Sequence, residues 1–315
     1  ALSNRLTGYF EYYVRDTKDM VGPAQEISSI VGAGAPKMNN TALRTKGWEL
    51  QIGWQDRIGQ LGYNVSFNLS DAQTEVTEFP NPDKQLKDGD GNDYYWEGKK
   101  LGEIWGFKTV GMAKTDQEMA DWIAQHDQSK LKAGGLNIWK AGDIMYANLD
   151  DNPAIEAGTS ATDPKDLTVI GNSTPRYRFG ITLGANYKGF DLNIMFQGVA
   201  KRDYWMIFWG VNGGQWNSTG YEDHWDFFRP EGDELGANTN AYFPRPIMDS
   251  KQNQQVQSRY LQDASYIRLK NLQIGYTIPK YLTKKIGLEK LRVFFSGDNL
   301  WTGTKINKNF DPEAL

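Results

Sequence analysis

Every second residue from Tyr177 to Tyr187 is apolar (Tyr177, Phe179, Ile181, Leu183, Ala185, Tyr187), and Arg178, Gly180, Thr182, Gly184 and Asn186 fall between them. After Lys188-Gly189 the alternation restarts as Phe190, Leu192, Ile194 and Phe196 against Asp191, Asn193 and Gln197. Side chains alternate across a strand, so each arm carries one apolar and one polar edge, and the Lys-Gly step is a tight hairpin turn. Whatever this chain folds into must give the two faces of the ribbon different surroundings.

Five more segments share the pattern, making seven in all: Arg5 to Arg15, Gly47 to Gln55, Tyr63 to Ser70, Tyr266 to Pro279 and Leu291 to Trp301 join the two arms above. The phase of Tyr266 to Pro279 slips between Leu269 and Leu272, which predicts a bulge. Short joins (Asp56 to Gly62, Lys188-Gly189, Lys280 to Lys290) alternate with long ones at about 16–46, 71–175 and 200–265. That alternation places all the long connections at one end of an up-and-down sheet, as in bacterial transmembrane barrels. A tilted strand needs about 9–11 residues to cross the hydrocarbon, and these segments have that length. Rings close the apolar rows, Trp48 and Trp54 in one segment and Tyr177 and Tyr187 in another, as at a lipid–water boundary. Lipid is then expected on the Phe179/Ile181/Leu183 side and water on the Arg178/Thr182/Asn186 side. A soluble antiparallel sandwich, with the apolar rows as its dry core, fits the same pattern.

Composition excludes several functions. A net charge of -4 without dense basic runs gives no field for nucleic acid. With no cysteine there are no disulfides or thiolate sites, and with two histidines a histidine-rich metal centre is not expected. Apolar runs such as Tyr204 to Val211 are too short for a membrane helix. The opening ALSNRLTGYF has no basic start, apolar stretch or cleavage site and enters a strand at once, so the chain is expected to begin within a longer protein.

The long connections hold no recognisable catalytic motif, whether His-Glu-x-x-His, nucleophile elbow or Walker loop. Pro36 removes an amide from the glycine-rich run Gly32 to Pro36, which reads as a turn. Asp88 to Asp93 has alternate oxygen ligands but Asp93 where a calcium loop requires glycine and Lys99 where it requires glutamate. Asp150-Asp151-Asn152 with Glu156 is a calcium alternative to a solvated turn; no cofactor is expected. Thr115-Asp116-Gln117-Glu118 is a capping box that predicts a short helix near Thr115 to His126, holding its loop down. The 200–265 connection is rich in rings, among them Trp205, Trp209, Trp216, Trp225, Phe227 and Phe228. Most are expected to form a small core, and one or two to touch a sugar or peptide.

Gly142-Asp143-Ile144, then TVIGNSTPRYRFGITLGANYKGFDLNIMFQGV, then ASYIRLKNLQIGYTIPK, then LRVFFSGDNLWTGTKINKNFDPE resemble, in that order, the C-terminal part of SusC/RagA-type TonB-linked outer-membrane transporters. The resemblance runs from about Gly47 and is strongest over Thr168 to Val199 and Ala264 to Glu313. It implies part of a barrel of 22 strands in the outer membrane of a Gram-negative bacterium, filled by an N-terminal plug that TonB pulls on. A SusD-like surface lipoprotein lids such barrels, and the cargo is oligosaccharide or peptide. The seven segments would then be strands fifteen to twenty-one, with the long loops outside. Plug, earlier strands and closing strand are expected on the rest of a longer chain or on another chain. The family's glycine- and aspartate-rich continuation is replaced after Leu149 by Asp150-Asp151-Asn152-Pro153, which weakens any ion site there. The resulting expectation is a non-enzymatic importer of oligosaccharides, with peptide import and a soluble carbohydrate-binding β-domain as alternatives. Glu49, Gln51, Gln55, Asn64, Ser66, Asn68, Arg178, Thr182, Asn186, Asp191, Asn193 and Gln197 would line the lumen, and Trp205, Trp209, Trp216 and Trp225 are the candidate cargo rings.

Overall fold

The computed structural model describes residues 5–22, 30, 32, 37–89, 91–131, 138–205, 222–247 and 251–315. In chain order the strands are β1 Leu6–Gly22, β2 Met38–Ile58, β3 Leu61–Glu78, β4 Glu103–Phe107, β5 Thr109–Met112, β6 Ile144–Tyr146, β7 Ala157–Ser160 and β8 Asp163–Lys165. There follow β9 Leu167–Asn172, β10 Arg176–Tyr187, β11 Phe190–Lys201, β12 Asp203–Trp205, β13 Leu261–Asp263, β14 Tyr266–Thr277 and β15 Arg292–Thr304. Two helices are α1 Asp116–Gln125 and α2 Lys280–Thr283.

One antiparallel sheet of seven strands, in the order β1-β2-β3-β10-β11-β14-β15, dominates. Its register aligns the alternation from strand to strand. Ile52, Phe67, Ile181, Phe196, Leu269 and Trp301 are successive cross-strand partners, as are Trp54, Val65, Leu183, Ile194 and Leu272. Slipping any strand by one residue would throw its apolar set onto the other face. Among the described residues no second sheet covers this apolar face, whose Ile52 is 42% exposed and Phe295 60% exposed, and the remaining sheets have two strands each. A soluble sandwich would bury both.

The hairpin turns follow from their residues. Lys188 (φ 47) and Gly189 (φ 90) both lie in the left-handed region, as the turn at Tyr187–Phe190 demands. Gly59-Gln60 joins β2 to β3, a shorter join than the expected Asp56 to Gly62, because the strands pair down to Ile58 and Leu61. The phase slip in β14 is a bulge: Lys270 sits opposite Asn299-Leu300, with Asn299 at φ 52.

The expected loop at 16–46 is mostly strand. β1 runs on to Gly22 and β2 begins at Met38, and β3 extends to Glu78 opposite Ala42. The Arg44–Asp16 ion pair lies within this extension. The sequence carries no apolar alternation there, and the few buried residues of the extension, such as Ala42, Thr45 and Val76, set no period.

The other two long connections fold together into a loop domain, instead of remaining loops, and the segment after β15 joins them. Its core holds Phe107, Ile144, Tyr146, Ile155, Phe228, Phe243, Tyr260 and Ile306. The capping box forms α1: Thr115 Oγ1 accepts from the Glu118 N–H, and Glu118 caps Lys114 N rather than the Thr115 amide. Met119 is fully buried against Met145, so the helix holds the loop down as its sequence suggests. Phe310-Asp311-Pro312-Glu313 returns to the sheet, where Asp311 and Glu313 bind the Arg268 guanidinium.

A polar hub organises this core. Asp143, wholly buried, accepts from Lys140 N (2.8 Å), Arg245 Nε (2.8 Å), Gln252 Nε2 (2.8 Å) and Asn253 Nδ2 (2.9 Å). Burial pushes its carboxyl above the usual range against the opposing pull of Arg245 and the amides. Asn253 Oδ1 in turn accepts from Ile144 N (2.9 Å), and the Tyr146 hydroxyl donates to Gln252 O (2.7 Å). Lys99 is a second buried charge: its Nζ donates to Tyr94 O at 2.8 Å and lies 4.4 Å from the Trp96 ring centre.

Replacing Asp143 with Ala leaves Arg245 and the two amides without their acceptor, a change that destabilises buried pairs by about 3–5 kcal/mol. Hydrogen exchange at the Ile144 and Tyr146 amides is expected to accelerate accordingly. Burial also lowers the pKa of Lys99 below its ordinary 10.5, so the unfolded loop holds that proton more tightly. The stability associated with Lys99 is therefore greatest above 10.5 and is lost as pH falls through the lowered value. Proteolytic opening of the loop domain should slow between neutral pH and pH ~10, and Lys99→Met should abolish that slope.

Candidate functional site: a polar wall and the cleft above it

The face opposite the apolar rows is a continuous polar wall. Gln51, Asn68, Gly180, Gln197, Arg268 and Thr302 are successive partners across it, and Gln55, Asn64, Gly184, Asn193 and Gln273 form another row. Glu49 and Arg178 flank Ser70 in a third, and Asn186 and Asp191 pair in a fourth. All eight sequence-predicted lining residues, Glu49, Gln51, Asn64, Asn68, Arg178, Asn186, Asp191 and Asn193, thus share one face. Thr182, Ser66 and Gln197 lie there too. Met195, Val199 and Phe294 are among its apolar exceptions, the Phe294 ring lying 4.9 Å from the Arg292 guanidinium carbon.

Glycines keep this wall low. A Cβ at Gly180 would meet Asn68 Oδ1 at 2.4 Å and one at Gly184 would meet Asn64 Oδ1 at 2.2 Å, so the two amides lie flat across β10. Gly275 likewise leaves the gap through which Arg292 reaches Asp191, and Arg292 Nη2 also donates to Gln273 Oε1 at 3.2 Å. Asp191 is therefore a bridged wall residue, whereas Asn64, Asn68, Asn186 and Asn193 remain exposed on this face.

At the long-connection end, a cleft of about 570 Å³ opens between the 222–243 segment, β13 and the residues after β15. Tyr242 and Phe243 line it, with Asp223, Asp226, Asp263, Arg259 and Lys305 around them. The cleft is rigidly braced. Arg259 Nη2 donates to Ala241 O (2.8 Å) and Tyr242 O (3.0 Å), while Gln262 Nε2 donates to the Tyr242 hydroxyl (2.7 Å). Asp226 accepts from Asn238 Nδ2 (2.9 Å) and Tyr242 N (3.1 Å), and Asp223 from Asn307 Nδ2 (2.9 Å). Burial raises the pKa of the Tyr242 and Tyr260 phenols, so both stay protonated donors.

Of the ring candidates, Trp225 is 65% exposed on the same 3₁₀ turn that brings Asp223 to the cleft. Trp205 pairs with Leu261 in β12 and packs against the loop core, so it is an architectural ring and not a free contact. Phe228 is likewise core. Trp209 and Trp216 lie outside the described residues. Sequence reading missed Tyr242, Arg259 and Gln262; the amide-rich KQNQQVQSR from Lys251 to Arg259 was the available signal, since a run of amides inside an aromatic segment supplies partners for buried backbone. The carboxylates of the calcium alternative serve turns and an ion pair: Asp150 Oδ1 accepts from Asn152 N at 2.8 Å, and Glu156 pairs with Lys130.

No family model matches the chain. In sequence it is 29% identical to TonB-dependent receptor P3 of Formosa agariphila, over 99% of this chain and 29% of that protein. TonB-dependent receptor P26 of the same organism is 24% identical over 99% of the chain and 30% of its own length. The chain therefore spans about three tenths of the curated relatives it matches. In fold it matches the RagAB peptide transporter with a TM-score of 0.68 at 22% identity, covering 99% of this chain and 31% of that one. The RagAB peptide importer in its closed-closed state gives 0.65 at 21% identity, over 99% and 31%. The resemblance to SusC/RagA-type TonB-dependent transporters is thus shown from two sides, by relatives named TonB-dependent receptors in sequence and by the RagAB transporter in fold.

Proposed function

We propose that this chain is a wall segment of an outer-membrane barrel that imports oligosaccharides in a TonB-dependent manner, beneath a SusD-like surface lipoprotein. The observation that carries the reading is the sheet with one open apolar face and one polar face, whose long connections all gather at one end. In lipid only a closed barrel satisfies every backbone group, so the free edges of β1 and β15 call for strands from the rest of a longer chain, closing at 22 by analogy with the family. The apolar rows then meet acyl chains, and Glu49, Gln51, Asn64, Asn68, Arg178, Asn186, Asp191 and Asn193 meet the lumen or the plug through which TonB acts. No step of bond chemistry belongs to it: the wall and cleft supply donors, acceptors and rings.

Cargo enters at the cleft. Tyr242 offers flat apolar surface beside the Asp223, Asp226 and Gln262 side chains, and Trp225 stands exposed on the turn that carries Asp223, a combination that stacks on sugar rings and hydrogen-bonds their hydroxyls. The same groups could hold a peptide backbone, and the likeness to a peptide transporter favours that second reading of the cargo.

Titration calorimetry of the full-length protein with its lipoprotein separates the two. Neutral oligosaccharides are expected to release heat and defined peptides none, with Trp225→Ala weakening the sugar about tenfold, the worth of one aromatic contact of ~1.4 kcal/mol. Heat with peptides alone transfers the reading to peptide import. The wall assignment has its own check in the unfolding free energy in lipid. Ile181→Lys on the apolar face is expected to cost about 2–4 kcal/mol, and Thr182→Lys on the other face within about 1 kcal/mol of nothing. Equal costs would overturn it, as would unchanged gel mobility of the full-length protein before and after boiling.

A further inference from the structure

The connector between β14 and β15 is at the short-turn end, away from the cleft, and nothing in the import reading uses it. Its residues 280–290, KYLTKKIGLEK, carry Lys280, Lys284, Lys285 and Lys290 against Glu289 alone, a net charge of +3 (four minus one). It is folded, not slack. α2 runs into a 3₁₀ turn, Lys284–Ile286, which Gly287 ends in the left-handed region at φ 75, and Leu288 N returns to Thr283 O at 3.0 Å. This knot turns only Thr283 inward. Tyr281 and Ile286 are 69% and 66% exposed, and Leu282 is exposed between them. A small element with lysines and large apolar side chains all pointing outward has the composition of a lipid-interface device rather than of a solvated turn.

Its position supplies the occupant. Ile278 N donates to Leu291 O at 2.9 Å, and these two residues continue the apolar face of Ile274, Tyr276, Val293 and Phe295 without a break. Next to it the rings of Phe190 and Tyr276 pack 4.5 Å apart, and the neighbouring hairpin tip holds the Lys188 ammonium 5.3 Å from the Tyr187 ring. Down the apolar face the order is aliphatic rows, then rings, then ammonium groups. That is the order in which a bilayer presents hydrocarbon, interface and phosphate.

We propose that the 280–290 connector docks on anionic phospholipid headgroups of the leaflet at the short-turn side, with Tyr281, Leu282 and Ile286 seated in the interface and the four lysines on headgroup phosphates. Such a contact fixes the depth of the β14–β15 edge in the membrane. The inference rests on the wall reading above, and the experiment keeps the two apart.

The full-length protein is placed in nanodiscs of phosphatidylcholine, with or without phosphatidylglycerol, carrying a fluorophore at Ile286→Cys or, separately, at Ile194→Cys in the middle of an apolar row. This segment has no cysteine of its own. Quenchers borne by the lipids report contact. The Ile286 label is expected to be quenched several-fold more in phosphatidylglycerol discs than in neutral ones. That excess should vanish when Lys280, Lys284, Lys285 and Lys290 are all changed to Gln, while the Ile194 label is quenched throughout. If the Ile194 label is quenched and the Ile286 label is not, the wall stands and the docking is refuted. Quenching at Ile286 that ignores both phosphatidylglycerol and the lysines also refutes it, as does shielding from water without lipid quenching, which would mean a protein cover. If neither label is quenched, the wall reading falls with it.

Discussion

The structure depends on a sheet whose apolar face, among the described residues, no second sheet covers. In water that face would be unsustainable: at roughly 25 cal/mol per Å² of exposed apolar surface, rows of Ile, Phe, Leu and Trp across seven strands amount to a large unfavourable term. An ordinary domain removes the term by adding a second layer. Here the chain spends its remaining residues differently, building its buried core at one end of the strands from Phe107, Tyr146, Phe243 and Tyr260. On the proposed reading the apolar face relies on lipid, a solvent of its own kind, and the loop end, the polar wall and the short turns take their roles from that.

The division of labour shows in how each region handles polar groups. In the sheet, backbone groups pair strand to strand and side-chain amides lie on glycines, which keeps Asn64 and Asn68 close to the wall. In the loop domain, irregular backbone is buried, and its carbonyls and amides need side-chain partners. Asp143, Gln252, Asn253 and Gln257 provide them, and Gln257 Nε2 reaches both the Tyr146 hydroxyl and Asn253 O. The Gly142-Asp143-Ile144 motif and the Phe310-Asp311-Pro312-Glu313 motif thus have structural explanations. One anchors the loop core through Arg245, and the other ties the chain after β15 back to Arg268 on the wall.

What the sequence made legible follows from the same physics. Where the two faces of a strand meet different media, residues must alternate, and the seven segments, the Lys188-Gly189 turn, the bulge at Lys270 and the sidedness of the wall could all be read. The capping box at Thr115 was equally plain, because a helix start is a local contract between a hydroxyl and an amide. Legibility ended where the constraint did. The extension of β1 and β2 past Arg15 and Gly47 carries no apolar period, although Ala42 and Thr45 are buried in it, and so its sequence reads as loop. The cleft was hidden for another reason: Asp223, Tyr242, Arg259 and Lys305 meet across more than eighty residues of chain, held by hydrogen bonds to backbone that no local pattern encodes.

Aromatic residues show how far composition can mislead without position. Rings of one chain here do three different jobs. Tyr260 and Phe243 fill a core, Trp54 with Tyr63 and Phe190 with Tyr276 border the apolar rows, Tyr242 lines a cleft and Trp225 stands exposed on the turn beside it. Each job suits a ring because its body is apolar and its edge or hydroxyl is polar, so it is stable wherever two media meet. On the proposed reading the chain runs between lipid, water and a buried core and so has three such boundaries, which accounts for the many rings in a sequence of low mean hydropathy. Their abundance reflects the number of interfaces the fold creates, and only the register of the sheet tells which ring stands at which interface.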